Sequence, residues 1–172
     1  MAGYPRGWER AAITRDGESY RIRPIREDDA DRDRAFIRTL SPEARYRRMM
    51  ISMRDPSPDL LEHLVHVDYL RDMAFVAVLG QEERIIGVAR YADDGTPSKE
   101  FAVAVLDEWQ ARGVAATLSL LLIEYARAHG VGAFHALIMA SNQPMIDLAR
   151  WLGMSTSLDT QDRTMVRASR TL

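Results

Sequence analysis

The sequence predicts one α/β domain built around a mixed, mostly antiparallel sheet with flanking helices. Three observations support this fold class. The 172 residues are 47% hydrophobic and 28% charged, which is typical of one globular domain with a sizeable core. Several short segments alternate apolar and polar residues like half-buried strands, and the segments between them repeat apolar residues at helical spacing. The order is strand, helices, three strands, helix, strand, helix and strand pair, which favours helices packed on a mixed sheet.

The first elements follow a polar amino-terminal segment. Residues 1–17 mix glycine, proline and charge, so we expect a flexible arm with at most one short strand, and residues 18–172 form the single domain. The alternating run YRIRPI predicts a strand from residue 20, and the acidic residues 27–29 suit the first turn of a helix. The residues expected on the buried face of this helix are Phe36, Ile37 and Leu40.

Two Ser-Pro pairs predict the starts of two more helices. Ser41 and Ser57 can each cap a helix, and the proline that follows each serine suits the first helical position. From Met73 the pattern becomes extended, and turns at residues 80–83 and 93–97 separate its segments. The three antiparallel strands predicted there are MAFVAVL, RIIGVARY and EFAVAVL.

The carboxyl-terminal third predicts two helices, each followed by extended chain. A helix after Gly113 should end at Gly130, and the run AFHALIMA is expected to be a buried strand. Asn142 should cap a helix that ends at Gly153, and MSTSL and TMVRA form a closing hairpin. Buried residues expected in the two helices are Val114, Leu118, Leu121, Leu122 and Tyr125 in the first, and Met145, Leu148 and Leu152 in the second.

Composition excludes several classes of site and location. The chain has no cysteine, which rules out a disulfide framework, a thiolate zinc site and a cysteine nucleophile. A formal net charge of -2 provides no general attraction to nucleic acid or to an anionic membrane. The longest apolar runs, such as AFVAVLG, fall short of the roughly 20 residues that a membrane span needs, and no signal peptide is recognisable. The default expectation is therefore a cytoplasmic protein with neither a nucleic-acid nor a membrane partner.

The histidines do not suggest a metal or hydrolase site. His63 and His66 lie at helical spacing near Asp68, but no third ligand follows from the sequence, so a helix surface or the rim of an acyl pocket is the preferred interpretation. His135 is interpreted as a strand residue. We therefore expect no metal site and no Ser-His-Asp set.

The segment WQARGVAAT, residues 109–117, lies where a predicted strand gives way to a helix. A helix start leaves backbone N–H groups unpaired and carries partial positive charge, so it can bind a phosphate. Gly113 allows close approach of a ligand to the backbone, and Ala115 and Ala116 are small enough to keep that approach open. The motifs GxxxxGK[ST] and GxGxxG are absent, which argues against nucleoside-triphosphate and dinucleotide sites. This segment predicts a diphosphate site of another kind.

The same segment carries a resemblance to a known family. Gln110, Gly113 and Ala115 match the pattern Gln/Arg-x-x-Gly-x-Gly/Ala, and from about Tyr20 onward the chain resembles the GNAT superfamily of acyl-CoA-dependent N-acyltransferases. The helix that Asn142 begins resembles the second signature of that superfamily. More narrowly, the runs RPIREDDAD, LSPEARYRRMM and KEFAVAVLDEWQARG resemble the catalytic domain of bacterial Pat-type protein lysine acetyltransferases.

The resemblance implies where acetyl-CoA binds. In this superfamily the fourth strand, here residues 101–106, splays from the fifth, here residues 134–139, and the pantetheine arm lies between them like an extra strand. The cofactor-binding residues implied in this way are Val103, Val105, Gln110, Ala111, Arg112, Gly113, Val114, Ala115, Ala116 and Asn142.

The resemblance also implies a catalytic base. Glu100 resembles the catalytic glutamate of the family, and a partly buried carboxylate there could remove a proton from the attacking amine, directly or through water. The alternative is an exposed strand-edge charge beside Lys99. Many members carry a tyrosine as general acid at the position of Ala149, so the acid is missing here or comes from elsewhere.

The function predicted from the resemblance is acetyl transfer from acetyl-CoA to a primary amine by direct attack on the thioester. A protein lysine is the first candidate acceptor, and a small-molecule amine is the alternative. A second alternative is a non-catalytic acyl-CoA-binding or sensing domain, which Ala149 and the second alanine of the phosphate-binding segment motivate. The expected partners are acetyl-CoA and the acceptor amine, and the protein is expected to be a monomer or a homodimer.

Overall fold

The computed structural model describes residues 3–49 and 54–172, and in them one sheet contains eight strands. The strand order is β1-β2-β3-β4-β5-β6-β8-β7, and every neighbouring pair is antiparallel except β5 with β6. This confirms the predicted mixed, mostly antiparallel sheet. The strands are β1 Arg10–Ile13, β2 Ser19–Pro24, β3 Met73–Leu79, β4 Arg84–Ala92, β5 Lys99–Val105, β6 Ala133–Met139, β7 Ser155–Leu158 and β8 Met165–Thr171.

Five α helices flank the sheet within the same described ranges, and their predicted caps are present. The hydroxyl of Ser41 accepts a hydrogen bond from the Ala44 N–H at 3.2 Å, and that of Ser57 accepts one from Leu60 at 3.2 Å. Nowhere in the described chain is a helix long and apolar enough to cross a membrane. The helices are α1 Ala30–Thr39, α2 Pro42–Met49, α3 Pro58–Val65, α4 Val114–Ala128 and α5 Gln143–Trp151.

The segment before residue 18 contains the one short strand expected there, β1, preceded by a single 3-10 turn. The Trp8 ring meets the Tyr125 ring of α4 edge-on, with centroids 4.9 Å apart. Strand β1 pairs with β2, so the two form a hairpin at one edge of the sheet. The flexibility of this arm stays a prediction.

Helix α4 defines one face of the sheet. It packs across β3, β4 and β5, while α1 and α3 lie on the opposite face. A Cβ on Gly87 of β4 would lie 3.1 Å from a Leu118 methyl of α4 and 3.2 Å from a Val105 methyl, so a glycine is needed for this close approach. Because Val105 points to α4, the odd-numbered residues of β5 face α4 and the even-numbered residues face the α1 side.

The predicted core is correct for α4 and shifted for α5. All five residues expected to be buried in α4 are buried. Leu152, the residue that follows α5, is buried, but Met145 and Leu148 of α5 are only half-buried. The fully buried residues are Ile146 and Ala149, which lie with Leu152 on one line at i, i+3 spacing. The sequence pattern identified the helix correctly. The buried face it predicted, however, is rotated by about one residue from the buried face in the structure.

A buried ion pair joins β2 to the turn that precedes α1. Arg23 is 1% exposed and Asp29 is 0% exposed, and two 2.7 Å hydrogen bonds connect the guanidinium to both carboxylate oxygens. Glu83, from the β3–β4 turn, accepts a further hydrogen bond from Arg23 at 3.1 Å. Burial alone would raise the pKa of Asp29, but the hydrogen bonds from Arg23 outweigh it and the pKa is lowered.

Replacing one partner of this pair should destabilise the fold strongly. Asp29→Asn leaves the buried Arg23 charge without its bidentate partner, and breaking a buried pair in this way costs about 3–5 kcal/mol. We expect the lower end, about 3 kcal/mol, because Glu83 still hydrogen-bonds the guanidinium. Urea unfolding at pH 7 measures the loss. Asp31→Asn, which removes an exposed carboxylate of α1, is the matched control and should change stability little.

The same variant should also change the pH dependence of stability. The pKa of Asp29 is lowered in the folded state, so its contribution is present above the unfolded value, about 3.9, and is lost as the pH falls through the folded value. The stability difference between wild type and Asp29→Asn should therefore shrink steadily below about pH 4. A difference that stayed constant down to pH 2 would show that the ionised carboxylate does not stabilise the fold.

Candidate active site

The strands β5 and β6 are parallel neighbours that pair over only two positions. Lys99 pairs with Phe134 and Glu100 with His135, and the strands then diverge. We call the space between residues 101–105 of β5 and residues 136–139 of β6 the gap. The two pairs form its closed end, and the end beside residues 105 and 139 is its open end. The predicted splay between these strands is thereby confirmed.

The backbone of β5 presents hydrogen-bonding groups to the gap. The Leu106 N–H donates to the Ile86 carbonyl of the β4 side at 2.9 Å. Since successive residues of a strand point their N–H and C=O groups to alternate sides, the groups of Val103 and Val105 point away from β4, toward the gap. Both residues lie beyond the last pair with β6. The Gln110 side chain donates to the Val105 carbonyl at 3.2 Å, so the open end of the gap already holds one polar contact.

The loop between β5 and α4 is compact and anchored. A 3-10 turn at Asp107–Trp109 buries Trp109, and the Arg112 guanidinium lies over the Trp109 ring, 4.2 Å from its centroid. Ala111 and Gly113 have φ of +57° and +90°, in the left-handed region. For Gly113 this conformation is the one that only glycine adopts without strain. The loop therefore turns sharply into α4 at Gly113.

The β1–β2 hairpin holds this loop from outside. The Arg112 guanidinium donates to Asp16 at 3.0 Å and to Glu18 at 2.6 Å, and the Arg15 N–H donates to the Arg112 carbonyl at 3.0 Å. The hydrogen bond from Arg112 lowers the pKa of Asp16 to about 2. Sequence analysis assigned Arg112 to the site but missed Arg15, Asp16 and Glu18. These three residues lie in a polar turn about 95 residues before Arg112 in the sequence. Local sequence patterns do not reveal contacts between residues so far apart.

The start of α4 is open. The first backbone hydrogen bond into the helix runs from the Thr117 N–H to the Gly113 carbonyl at 3.0 Å, so the N–H groups of residues 113–116 have no intrahelical partner. Ala115 and Ala116 are half-buried, and a Cβ on Gly113 would meet only the Arg15 side chain, at 3.5 Å. The helix start predicted to bind a diphosphate thus has free N–H groups, and Gly113, Ala115 and Ala116 leave room beside them.

Asn142 lies at the other side of the open end. Its side chain accepts a hydrogen bond from the Met145 N–H at 3.3 Å and caps α5, as predicted. Because β5 and β6 are parallel, the segments that follow them leave the same edge of the sheet, so the start of α4 and Asn142 lie on either side of the gap. The structure therefore gathers all ten predicted cofactor residues along the gap and at its open end.

Glu100 occupies the closed end, on the face opposite α4. It is an even-numbered residue of β5, and its neighbour His135 on β6 points to the same face. The expectation of a partly buried carboxylate is wrong, because Glu100 is exposed. Lys99 does not neutralise it, since the Lys99 amine pairs with Asp93 at 2.9 Å. Within the described residues, no side chain hydrogen-bonds or ion-pairs with the Glu100 carboxylate.

Ala149 offers no proton donor. It is 0% exposed in the core under α5, and its methyl side chain packs among apolar residues. A tyrosine hydroxyl at this position would need space that the core does not leave. Any general acid for the reaction must come from another position.

A hydrogen-bonded Ser-His-Asp set lies beside Glu100. The Ser98 hydroxyl is 2.7 Å from His135 Nδ1, and His135 Nε2 is 3.0 Å from an Asp94 carboxylate oxygen. The expectation that no such set exists is therefore wrong. The interpretation of His135 as a strand residue is correct. The only sequence signal for its contacts with Ser98 and Asp94 is that it is a polar residue inside the apolar run AFHALIMA.

Comparison with known proteins identifies relatives over most of the chain. The sequence profile of the Acetyltransferase (GNAT) family matches residues 35–154. An acetyltransferase of Pseudomonas aeruginosa is 38% identical over 156 residues, which cover 88% of this chain and 83% of that protein. The acetyltransferase Pat of Mycolicibacterium smegmatis is 33% identical over 141 residues, 81% of this chain but only 42% of that protein. The chain thus spans less than half the length of that relative.

A solved structure agrees closely with the fold. The GNAT domain of S. lividans Pat superposes with a TM-score of 0.91 at 29% identity, covering 98% of this chain and 99% of that domain.

Proposed function

The chain belongs to the GNAT acetyltransferase family, and from this we propose that it transfers the acetyl group of acetyl-CoA to a primary amine, with a protein lysine as acceptor. The observation that carries the proposal is the gap, which has an open helix start at one end and Glu100 at the other. Each part of that arrangement supplies one requirement of the reaction.

The residues along the gap suit the donor. Val103 and Val105 direct backbone N–H and C=O groups into a space that an extended chain with amide groups, such as pantetheine, can occupy. The free N–H groups at residues 113–116 and the positive end of the α4 dipole suit the pyrophosphate. A donor anchored at the open end then extends its acyl group toward the closed end.

Glu100 is the proposed general base. An ammonium has no lone pair, so the acceptor must lose a proton before its nitrogen attacks the thioester carbonyl. The acceptor ammonium first passes one proton to the Glu100 carboxylate, and the neutral nitrogen then attacks the thioester carbonyl. A nitrogen–carbon bond forms, the carbon–sulfur bond breaks, CoA leaves as a thiolate, and the second nitrogen proton passes to solvent.

The absence of a hydroxyl at Ala149 does not prevent this step. A simple thiol has a pKa of about 8.5, as cysteine does, so a thiolate is a stable leaving group compared with an alkoxide. Solvent at the open end of the gap can supply the proton afterwards. The transfer therefore does not require a dedicated general acid.

The exposure of Glu100 favours a large acceptor. A long, flexible lysine side chain on a protein surface can reach an exposed carboxylate, whereas a small amine usually needs a pocket that encloses it. The resemblance of the sequence to Pat-type protein lysine acetyltransferases supports the same choice. A small-molecule amine is the alternative acceptor.

Blocking the helix start should abolish donor binding. Gly113→Asp places a carboxylate where the pyrophosphate is proposed to lie, so steric overlap and like-charge repulsion act together. For the wild type, acetyl-CoA at 100 times its Kd should stabilise the fold by about 2.7 kcal/mol. We expect a clear rise in Tm for the wild type and none for Gly113→Asp, measured by thermal melts with and without acetyl-CoA.

The control is Gly130→Asp, at the other end of α4. Gly130 also has a positive φ, +75°, so this variant carries a similar backbone strain far from the proposed phosphate position. It should keep the acetyl-CoA shift. A wild-type Tm that millimolar acetyl-CoA leaves unchanged would contradict the assignment of the gap as the donor site.

Removing the proposed base should slow catalysis without weakening donor binding. Glu100→Gln keeps the shape of the side chain but cannot accept the amine proton, and loss of a general base costs a factor of about 10² to 10⁴. We expect kcat to fall by that factor while the Tm shift with acetyl-CoA persists. Steady-state kinetics with a saturating amine measures kcat.

Glu108→Gln serves as the comparison variant. Glu108 is an exposed carboxylate beyond the end of β5, where it pairs with Arg84 at 2.7 Å. Its replacement should leave kcat nearly unchanged. If Glu108→Gln or Asp107→Asn lowers kcat and Glu100→Gln does not, the base is misassigned.

The acceptor can be identified by a screen of lysine peptides, folded proteins and small amines with labelled acetyl-CoA. We expect kcat/KM to be highest for lysine in proteins or peptides. Lys99 is the only lysine in the sequence, so label on the enzyme itself is easily separated from label on the acceptor. Tight acetyl-CoA binding with no acetylated product from any amine would instead support a sensing domain.

A further inference from the structure

We propose that Ser98, His135 and Asp94 form a second acyl-transfer site, at which Ser98 takes the acetyl group from acetyl-CoA and water then releases acetate. The activity is an acetyl-CoA hydrolase reaction that runs when no amine is bound. It rests on the proposed function only in requiring that acetyl-CoA occupies the gap.

The three side chains form one continuous hydrogen-bonded line. Ser98 Oγ is 2.7 Å from His135 Nδ1, and Asp94 Oδ2 is 3.0 Å from His135 Nε2. The second oxygen of Asp94 accepts hydrogen bonds from the Thr96 N–H at 3.0 Å and the Thr96 hydroxyl at 2.7 Å. Both Asp94 oxygens are therefore held in place, which fixes the carboxylate against the imidazole.

These hydrogen bonds determine which ring nitrogen of His135 carries a proton. A carboxylate can only accept hydrogen bonds, so the His135 nitrogen that faces Asp94, Nε2, carries a proton. In the neutral imidazole Nδ1 then has a lone pair, which faces the Ser98 hydroxyl and accepts its proton. A hydroxyl bonded to an imidazole that a carboxylate orients is the arrangement of an activated serine nucleophile. The two ring nitrogens are exchanged relative to the serine protease triad, but each still performs the same task.

The position of Ser98 suits attack on the thioester. Ser98 lies two residues before Glu100, about 6.6 Å along the chain, immediately before the two pairs that close the gap. The open helix start lies at the opposite end of β5, so a donor anchored there points its acyl group toward Ser98 and Glu100. Ser98, His135 and Asp94, called the triad below, lie on the face of the sheet to which Glu100 also points.

Exposure allows substrate and water to reach the triad while the imidazole stays ordered. The side chains of His135 and Asp94 are 20% and 33% exposed, and Ser98 is half-buried. The Thr96 hydroxyl oxygen also lies 2.9 Å from the Ser98 carbonyl, so its one proton is shared between that carbonyl and Asp94. A triad buried completely could not take part in hydrolysis, and one fully exposed would not hold its geometry.

The chemistry balances in two steps. First, Ser98 Oγ attacks the acetyl carbonyl, its proton passes to His135 Nδ1, and the carbon–sulfur bond breaks to release CoA, which takes that proton. Second, water loses a proton to Nδ1 and attacks the ester carbonyl, so acetate leaves and the Ser98 oxygen regains the proton. The acetic acid formed loses its proton to solvent, so the net reaction is acetyl-CoA plus water to acetate, CoA and one proton.

The test follows acetyl-CoA in the absence of any amine. We expect the wild type to release acetate and CoA in equal amounts, and to gain the mass of one acetyl group on the peptide that contains Ser98. Hydroxylamine should remove this group, because it cleaves an ester but not an amide. In Ser98→Ala and His135→Gln, acetate release should fall by a factor of about 10².

Three controls make the result decisive. Ser155→Ala removes an exposed serine of the edge strand β7 and should leave acetate release unchanged, and Lys99→Arg excludes an amide on the neighbouring side chain. The acetyl-CoA Tm shift should persist in Ser98→Ala, which shows that the fold and the donor site are intact. Acetate release that does not depend on Ser98, or no acetate release by a wild type that binds acetyl-CoA, would overturn the proposal. Failure of the amine-transfer proposal would show separately, as a wild type that acetylates no amine.

Discussion

The divergence of β5 and β6 is the constraint on which the rest of the site depends. Strand β5 is paired with β4 from Glu100 to Val105, and β6 is paired with β8 along its whole length, so each strand belongs to a separate half of the sheet. Only two pairs join those halves. A fully paired sheet would fill the gap with its own hydrogen bonds, and the same backbone groups would then be unable to bind a ligand.

Aromatic packing fixes the closed end of the gap on one face, and polar contacts fix it on the other. Phe101 stacks on Phe134 with centroids 5.7 Å apart, and Tyr91 lies 5.6 Å from the same ring. On the opposite face, Ser98 and His135 connect the turn before β5 to β6. Because both faces are joined there, the strands cannot separate further at Glu100. The reacting groups therefore lie at a fixed point, while the open end is held by loop and helix contacts.

The sequence predicted the elements well, because their signals are local. Hydrophobic period, Ser-Pro caps and the Gly113 turn specify the helices and strands over a few residues each, and the structure contains them. Contacts between distant segments were not predictable in this way. The hydrogen bonds of Arg112 to the β1–β2 hairpin, and that of Ser98 to His135, join residues far apart in the chain. The exposure of Glu100 likewise depends on which distant segments pack beside it. Local sequence patterns therefore identify which residues form each helix or strand, whereas the contacts between helices and strands depend on the whole fold.

The distribution of basic residues fits an enzyme that acylates amines. Lys99 is the only lysine, and every other residue among the 23 lysines and arginines is arginine. The ion pairs that hold the site and the core, at Arg112 and Arg23, therefore use guanidinium groups, which stay protonated in proteins and do not compete as nucleophiles. Lys99 itself pairs with Asp93 at 2.9 Å, and the hydrogen bond from Lys99 lowers the pKa of that carboxyl. The single side-chain amine of the protein is thus engaged by a carboxylate beside the position where a donor acetyl group is proposed to lie.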